Sequence, residues 1–515
     1  MLTKTQPDEI QDYLADASYV KGGHASRVVF PESAADVAEI LAKATTDRTP
    51  VTVSGAGTGT VGGRVPFGGV VLATNKLNQL RIENAKCEAQ AGVRLSDLQS
   101  AVNALALFYP PDPTERSCFI GGNIATNASG ARTFKYGATR NYVRSLKVVL
   151  ASGDIVDLNR GGIFADKEGK VAIPLSSGRV LETQLPTYSM PRVRKHASGY
   201  FIAPGMDLID LFIGSEGTLG VIVEAELKLL PKPDGVLSGV VFFDNEENLI
   251  AFVREARERS LASRGGNPTP GSPAGQPGGG GAVRESAAID ARAIEYFDTE
   301  SLGFLRQKYE TVPAQANCAI FFEQETTPAT EDSLMSEWLI LVETHHALAE
   351  ESWFATNEAD QAKLREFRHA LPVLMNEWFA RYGQRKVSTD MAVPDEAFAG
   401  MLRFYQDSLR GSDLRHTIFG HIGDNHVHVN ILPRNDEEAA RAWEIYHRFI
   451  RRAVDVGGTI SAEHGIGKLK RDYLVELYGE QHLREMAKLK LAFDPAGILG
   501  RGNMFAEEYL SVVSG

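Results

Sequence analysis

Residues 110–143, PPDPTERSCFIGGNIATNASGARTFKYGATRNYV, constrain the fold of this 515-residue chain more than any other segment. The stretch is dominated by Gly, Asn, Thr and Ser and is embedded between runs of β character. It carries too little apolar surface to pack by itself. Backbone amides that leave water need partners, so such a segment makes sense where its N–H groups and hydroxyls cover a large polar ligand.

A second glycine-rich segment, SGAGTGTVGG (54–63), follows the strand-like VTV. Glycines let the backbone take positive φ and approach a ligand without Cβ interference, leaving amides free for phosphate oxygens. No Lys-Ser/Thr closes it, so it is not a Walker A loop. Gly55, Gly57 and Thr60 give only GxGxxT with no helix start directly after, which is a poor dinucleotide fingerprint. A tight turn would explain this segment equally well. A third segment, DLFIGSEGTLGVIVEAELKLLP (210–231), ends in a strong strand candidate. Taken in order, the three resemble the FAD-binding domain of the vanillyl-alcohol oxidase/p-cresol methylhydroxylase (PCMH) superfamily across most of residues 20–231. The resemblance implies FAD held mainly by backbone contacts. Gly55, Gly57, Thr58, Gly59 and Thr60 would follow the pyrophosphate. Pro111, Asp112, Gly121, Gly122, Asn123, Thr126, Asn127 and Gly130 would follow the flavin and adenosine, with Gly217 and Val221 on the adenine side. The first loop has no His for covalent attachment, so a dissociable flavin is expected.

The second chemical signal is a histidine cluster. FGHIGDNHVHVNILP (419–433) places three imidazoles within eight residues. His426, His428 and Asn430 alternate on a β run and so share a face. His421 stands an odd number of positions from His428, and the Gly-Asp turn between them must re-aim it. Two imidazoles brought together begin a transition-metal site, and GGTISAEHGIGKLKRDYL (457–474) supplies Glu463 beside His464. The two segments are similar to HxGDxxxH and SAEHGxG of the FAD-linked D-2-hydroxy-acid dehydrogenases, the family of D-lactate and D-2-hydroxyglutarate dehydrogenases and the flavin subunit of glycolate oxidase. The resemblance implies that His421, His428 and Glu463 bind a divalent metal, that Asn430 hydrogen-bonds the substrate, and that His464 is the base. Asn425-His426 stands where the commoner pattern has Gly-Asn; the extra His426 either alters the site or faces solvent, and the latter is expected.

These residue types suit the oxidation of a D-2-hydroxy acid. Such an acid chelates a divalent cation through its hydroxyl and one carboxylate oxygen. Lewis-acid polarisation then lets a neutral imidazole take the hydroxyl proton while the Cα hydride leaves for the flavin. An arginine fork matches the carboxylate. In KLREFRHALP (363–372) Arg368 best matches the family's substrate arginine, with Arg365 as the alternative and Lys386 a weaker candidate. Zinc, manganese and iron all suit two imidazoles and a carboxylate. The closing stretch LKLAFDPAGILGRGNMF (489–505) resembles the family's tail and would bring Asn503 back to the flavin.

The expected architecture is α+β. It consists of a PCMH-type FAD-binding domain (1–235), an inserted α+β substrate or cap domain (236–456), and a C-terminal segment (457–515) that returns to complete the active site. Pro231 and Pro233 mark the first boundary. The Gly/Pro-rich 264–282 reads as an exposed insertion loop. A net charge of −12 argues against nucleic acid as the main partner. Three separated cysteines supply neither a disulfide framework nor an iron–sulfur cluster, so electrons must leave through an external acceptor: a quinone, an electron-transfer flavoprotein or a partner subunit. No apolar run suggests a membrane span. The opening MLTKTQPDEIQDYL reads as the first turns of an amphipathic helix rather than a secretory signal. A cytoplasmic protein is expected, peripheral to a membrane at most through its acceptor, and a homodimer is compatible with the sequence. Three rival functions share parts of the pattern: a metal-dependent hydrolase, a non-catalytic FAD-binding subunit of a larger oxidase, and a sugar-lactone or aryl-alcohol oxidase of the same fold.

Overall fold

The computed structural model describes residues 1–265 and 288–513. Three sheets dominate it. The first runs in the order Leu2–Lys4, Arg27–Phe30, Val70–Ala73, Val51–Ser54. Its last three strands are parallel, and Leu2–Lys4 lies antiparallel on the edge. A parallel pair needs a crossover, which the helix Ala34–Thr46 provides. The Ser33 side chain accepts the Asp36 N–H at 3.1 Å, an N-cap of the kind that contributes ~1 kcal/mol. Val37 and Leu41 of this helix are buried with Val51, Val70 and Leu72.

The N-terminus differs from the expected amphipathic helix. Residues 2–4 pair with Phe30, Val29 and Val28 as a strand, and only one helical turn, Pro7–Ile10, and a 3-10 turn, Gln11–Tyr13, follow. Edge pairing wins because the sheet offers three ladder partners. Pro7 also suits the first position of a helix rather than its interior.

The second sheet is antiparallel, in the order Leu80–Glu83, Lys86–Gln90, Val221–Lys228, Val143–Val149, Ile155–Asn159. The two β runs flanking the Ser-Gly-Asp turn pair with each other as the sequence suggests, Val149 opposite Ile155. Between this sheet and the first lie the glycine-rich segments. The chain's end also returns here: Val51 N–H donates to the Ile498 carbonyl at 2.8 Å, and Gly500 N–H to the Val51 carbonyl at 3.0 Å.

The third sheet has seven antiparallel strands, in the order Trp353–Ala355, Gly235–Phe243, Cys318–Thr326, Ala291–Phe297, His416–Gly420, His428–Ile431, Val387–Ser388. Its third strand, Cys318–Thr326, is an interior strand buried on both faces, which explains the continuous apolar run CAIFF. Ile320 and Phe322 join one core, where Trp338 of the helix Glu331–Thr344 stacks on Phe322 at 3.8 Å. Ala319 and Phe321 join the opposite core with Phe367 and Leu371 of the helix Glu358–Tyr382. The helix Asp436–Asp455 is formed by DEEAARAWEIYHRFIRRAVD; Asn435 caps it by accepting the Glu438 N–H, and three acids in its first turn favour the dipole. The expectation for 264–282 falls almost wholly outside the described residues. No described helix is long and apolar enough to cross a membrane. Cys87, Cys118 and Cys318 are each buried and unpaired.

Candidate active site

The glycine-rich segments wall a recess enclosing about 1000 Å³, open solvent included. Gly55, Gly57, Thr58 and Gly59 come from the loop after Val51–Ser54; Gly121, Gly122, Asn123 and Thr126 come from the short helix Ile120–Ala125 and its end. Gly217, Val221 and Asn503 close the wall. A Cβ added at Gly55, Gly59 or Gly122 would meet nothing within 4 Å, so these backbones face open space. The buried Asn123 Nδ2 has no hydrogen-bond partner, a donor left for whatever fills the recess. These features fit a large polar cofactor.

Five residues of the same expectation stand elsewhere. Thr60 is exposed and Pro111 is buried outside the recess wall. Asp112 is engaged by Arg116 and Arg132, and burial of its carboxyl is outweighed by those guanidiniums, which hold its pKa low. Asn127 accepts the Arg140 N–H at 3.0 Å. Gly130 is required by packing, because a Cβ there would lie 2.1 Å from the Asp112 carbonyl oxygen.

A cluster of imidazoles and carboxylates adjoins the recess. The 3-10 turn Ile422–Asp424 and the left-handed Asn425 (φ +54°) re-aim His421 toward His428. Glu463, from the loop after the helix Asp436–Asp455, lies between them: Oε2 is 3.4 Å from His421 Nε2, and Oε1 is 3.2 Å from His428 Nε2. Each ring's other nitrogen is already held. His428 Nδ1 faces the Thr389 carbonyl at 3.0 Å, and His421 Nδ1 faces Glu295 Oε1 at 2.6 Å. A carbonyl only accepts, so His428 carries its proton on Nδ1 and turns the Nε2 lone pair toward a carboxylate. Burial lowers the His428 pKa further, keeping the ring neutral. A lone pair facing a carboxylate repels unless a cation lies between them. The spacing also fits one, since donors bonded to a common ion at ~2.0–2.1 Å stand about 3.3 Å apart in a tetrahedral site. The residues present therefore fit a divalent metal.

The surrounding charges come in matched pairs. Glu463 meets the buried Lys195 at 2.7 Å, Glu295 meets Arg368 at 3.0 Å, and Asp390 meets Lys470 at 2.6 Å. Burial opposes the charge on each carboxylate, but these cations and the neighbouring imidazoles hold Glu295 down to about 2 and keep Glu463 and Asp390 well below the usual range. Burial likewise opposes charge on His421, yet Glu295 and Glu463 raise it to about 9. Asp390 also fixes the loop that carries Glu463: its oxygens accept the N–H groups of Glu463 (3.1 Å) and His464 (3.0 Å) and the Ser461 hydroxyl (2.6 Å). His464 both belongs to this cluster and lines the recess. Its ring stacks on His428 with centroids 5.6 Å apart and is 34% exposed. Ser129, from the 110–143 segment, reaches Glu463 Oε2 at 3.4 Å.

His426 does not face solvent as expected. It is 0% exposed, with its ring 4.5 Å from that of His428, because the strand proper begins only at His428 and the Ala392–His426 bridge pulls the ring inward. Asn430 is buried, with Oδ1 accepting the Ser388 hydroxyl at 2.9 Å. Arg368 spends its fork on Glu295, and Arg365 lies 3.9 Å from Glu323. Lys386 is exposed, and desolvation by the neighbouring protein atoms lowers its pKa.

Sequence reasoning missed Lys195, Glu295, Asp390 and Glu216. Glu216 accepts the Ile466 and Gly467 N–H groups at 2.6 and 2.7 Å from a left-handed backbone (φ +53°). The one signal in the sequence was its place inside SEG, between residues already singled out.

Comparison with known proteins places the chain in a family. Residues 25–159 match the FAD binding domain family, and residues 282–504 match the family of FAD linked oxidases, C-terminal domain. The chain is 31% identical over 510 residues to a D-lactate dehydrogenase of Anaerostipes hadrus, covering 96% of this chain and 93% of that protein. It is 30% identical over 496 residues to the glycolate oxidase subunit GlcD of Bacillus subtilis, covering 93% and 89%. A D-2-hydroxyglutarate dehydrogenase of Stutzerimonas stutzeri is 26% identical, covering 98% and 96%. An alkyldihydroxyacetonephosphate synthase structure, 14% identical, superposes with a TM-score of 0.62 over 97% of this chain and 81% of that one, and so shares the fold. The chain is α+β with a PCMH-type FAD-binding domain, and it belongs to the family of FAD-linked oxidoreductases that includes glycolate oxidase flavin subunits, D-lactate dehydrogenases and D-2-hydroxyglutarate dehydrogenases.

Proposed function

We propose that this protein oxidises a small D-2-hydroxy acid, of the lactate, glycolate or 2-hydroxyglutarate type, to its 2-oxo acid, with FAD as the first electron acceptor and a divalent metal at His421, His428 and Glu463. The observation that carries the reading is the position of His464, shared between the recess wall and the imidazole–carboxylate cluster. A base there can touch a substrate that lies over a flavin edge and reaches the metal donors at once.

In the recess lined by Gly55, Gly59, Gly122 and Asn123, FAD would supply a hydride acceptor for the substrate Cα. Held by His421, His428 and Glu463, a divalent ion would supply Lewis acidity toward the substrate hydroxyl and positive charge toward its carboxylate. The chain's residues do the rest. Asp390 sits behind His464 Nδ1 at 3.3 Å, which leaves Nε2 to remove the hydroxyl proton as the Cα–H bond breaks. Glu295 and the Thr389 carbonyl orient the two metal imidazoles. Because each contacting carboxylate already has its cation, a divalent ion adds net positive charge that an anionic substrate meets. Arg368, Lys386 and Asn430 are the candidates for holding the substrate's polar groups, with Arg368 also bracing Glu295.

The test is dye reduction with a panel of D- and L-2-hydroxy acids, with and without a chelator. The reading expects D-selective, chelator-sensitive activity. A colourless preparation that hydrolyses esters, or flavin that never reduces with any hydroxy acid, would instead favour the hydrolase or the non-catalytic subunit.

A further inference from the structure

We infer that His426 is a third imidazole ligand, so that this chain presents the metal with a three-histidine, one-glutamate set rather than two histidines and a glutamate. The inference rests on the metal reading above and concerns a position where this chain departs from the pattern its motifs otherwise follow.

The donor atoms of His421, His426, His428 and Glu463 all lie within 4.8 Å of one another, a spread that a single ion can draw together. His426 is wholly buried, and its ring centroid is 5.4 Å from that of His421 and 4.5 Å from that of His428. Its two nitrogens have unlike surroundings. Nε2 stands 3.1 Å from Asp390 Oδ1, off the axis of an ideal hydrogen bond yet against an atom that can only accept. That contact favours the tautomer with the proton on Nε2 and leaves the Nδ1 lone pair on the other side of the ring. The cation nearest that lone pair is the Lys195 ammonium, 3.4 Å from Nδ1 and 2.7 Å from Glu463 Oε2. The fold thus sets His426 Nδ1 and Glu463 around a place where positive charge is favoured. A carboxylate behind the far nitrogen of a ligating imidazole is the usual support for such a ligand, and Asp390 stands there for His426 as Glu295 does for His421. Three imidazoles and one carboxylate favour a borderline ion such as Zn²⁺ or Co²⁺ over Mg²⁺ or Ca²⁺, which prefer oxygen.

The competing role for His426 is only to accept a proton from Lys195. X-ray absorption at the zinc edge on the FAD-loaded, zinc-loaded enzyme separates the two, because the outer-shell scattering of imidazole counts the rings bound. The expected count is three in the parent and two in His426→Asn, with zinc affinity in chelator competition falling by at least about tenfold. Circular dichroism and flavin content verify that the variant folds, and the parent's own count decides the matter if it does not. Two rings in the parent overturn this inference and leave the metal reading intact. Failure of the parent to hold zinc, manganese or iron stoichiometrically overturns both.

Discussion

The carboxylate of Asp390 holds His464 twice: Oδ2 stands 3.3 Å from the ring Nδ1 and accepts the backbone N–H of the same residue at 3.0 Å. The His464 ring and its backbone are therefore both tied to Asp390. Replacing His464 with Gln removes the proton acceptor and should lower kcat by ~10²–10⁴-fold, with flavin and metal content unchanged. Asp390→Asn keeps the shape but relaxes the tautomer, and kcat should fall by about 10–100-fold. Steady-state kinetics alongside metal analysis checks both; loss of metal in the His464 variant would recast that residue as a ligand.

Glu295 receives His421 Nδ1–H at 2.6 Å and is itself held by Arg368 at 3.0 Å. Glu295→Gln should weaken metal affinity by about 10–100-fold while leaving flavin affinity alone. Chelator competition reads the first quantity and flavin fluorescence the second.

Two adjacent glycines separate cofactor contact from folding. A Cβ at Gly122 meets nothing within 4 Å, whereas one at Gly121 meets the Ala91 Cβ at 2.6 Å. Gly122→Val should keep the melting temperature of the flavin-free protein and lose FAD affinity. Gly121→Val should lower the melting temperature itself, since overpacking costs about 1–3 kcal/mol. Thermal unfolding with and without FAD distinguishes them.

Burial raises the Glu216 carboxyl to about 7, even though it accepts two backbone N–H groups. A folded pKa above the unfolded one means the folded state keeps a proton that the unfolded state releases. The associated stability is complete below about 4.5 and is lost as pH rises through about 7. Lys468, which burial lowers to about 8, titrates above that window. Glu216→Gln should therefore gain on the parent by a few degrees in melting temperature between pH 5 and pH 7.5, an effect of order 1–3 kcal/mol. A difference that stays constant with pH would mean Glu216 is charged throughout.

Much of this was legible in the sequence because the signals were local. Ser33 followed three residues later by Asp36 reads as a helix start, and the Ser-Gly-Asp turn between the β runs of VRSLKVVLASGDIVDL reads as a hairpin; both form. The three motif segments in order were enough to indicate the cofactor domain. What stayed hidden depends on contacts distant along the chain. Glu295 sits in ARAIEYF, an unremarkable strand, and matters only because that strand lies beside His416–Gly420. Lys195 and Asp390 reach Glu463 from 268 and 73 positions away. His426 misled because the expectation of solvent ran against the alternation, which puts it on the face of His428, where its ring lies 4.5 Å from that of His428. The N-terminal helix failed for the same kind of reason, a sheet edge outbidding local periodicity.

In the proposed reaction, metal donors and a base act together on a substrate lying against the flavin. Anaerobic mixing of the FAD-loaded protein with the two enantiomers of lactate and of 2-hydroxyglutarate, followed by flavin absorbance, tests it most directly. The prediction is rapid bleaching with a D-enantiomer alone, lost after metal is stripped and regained when zinc or manganese is restored. Bleaching that proceeds unchanged without metal, or only with an L-enantiomer, would contradict it.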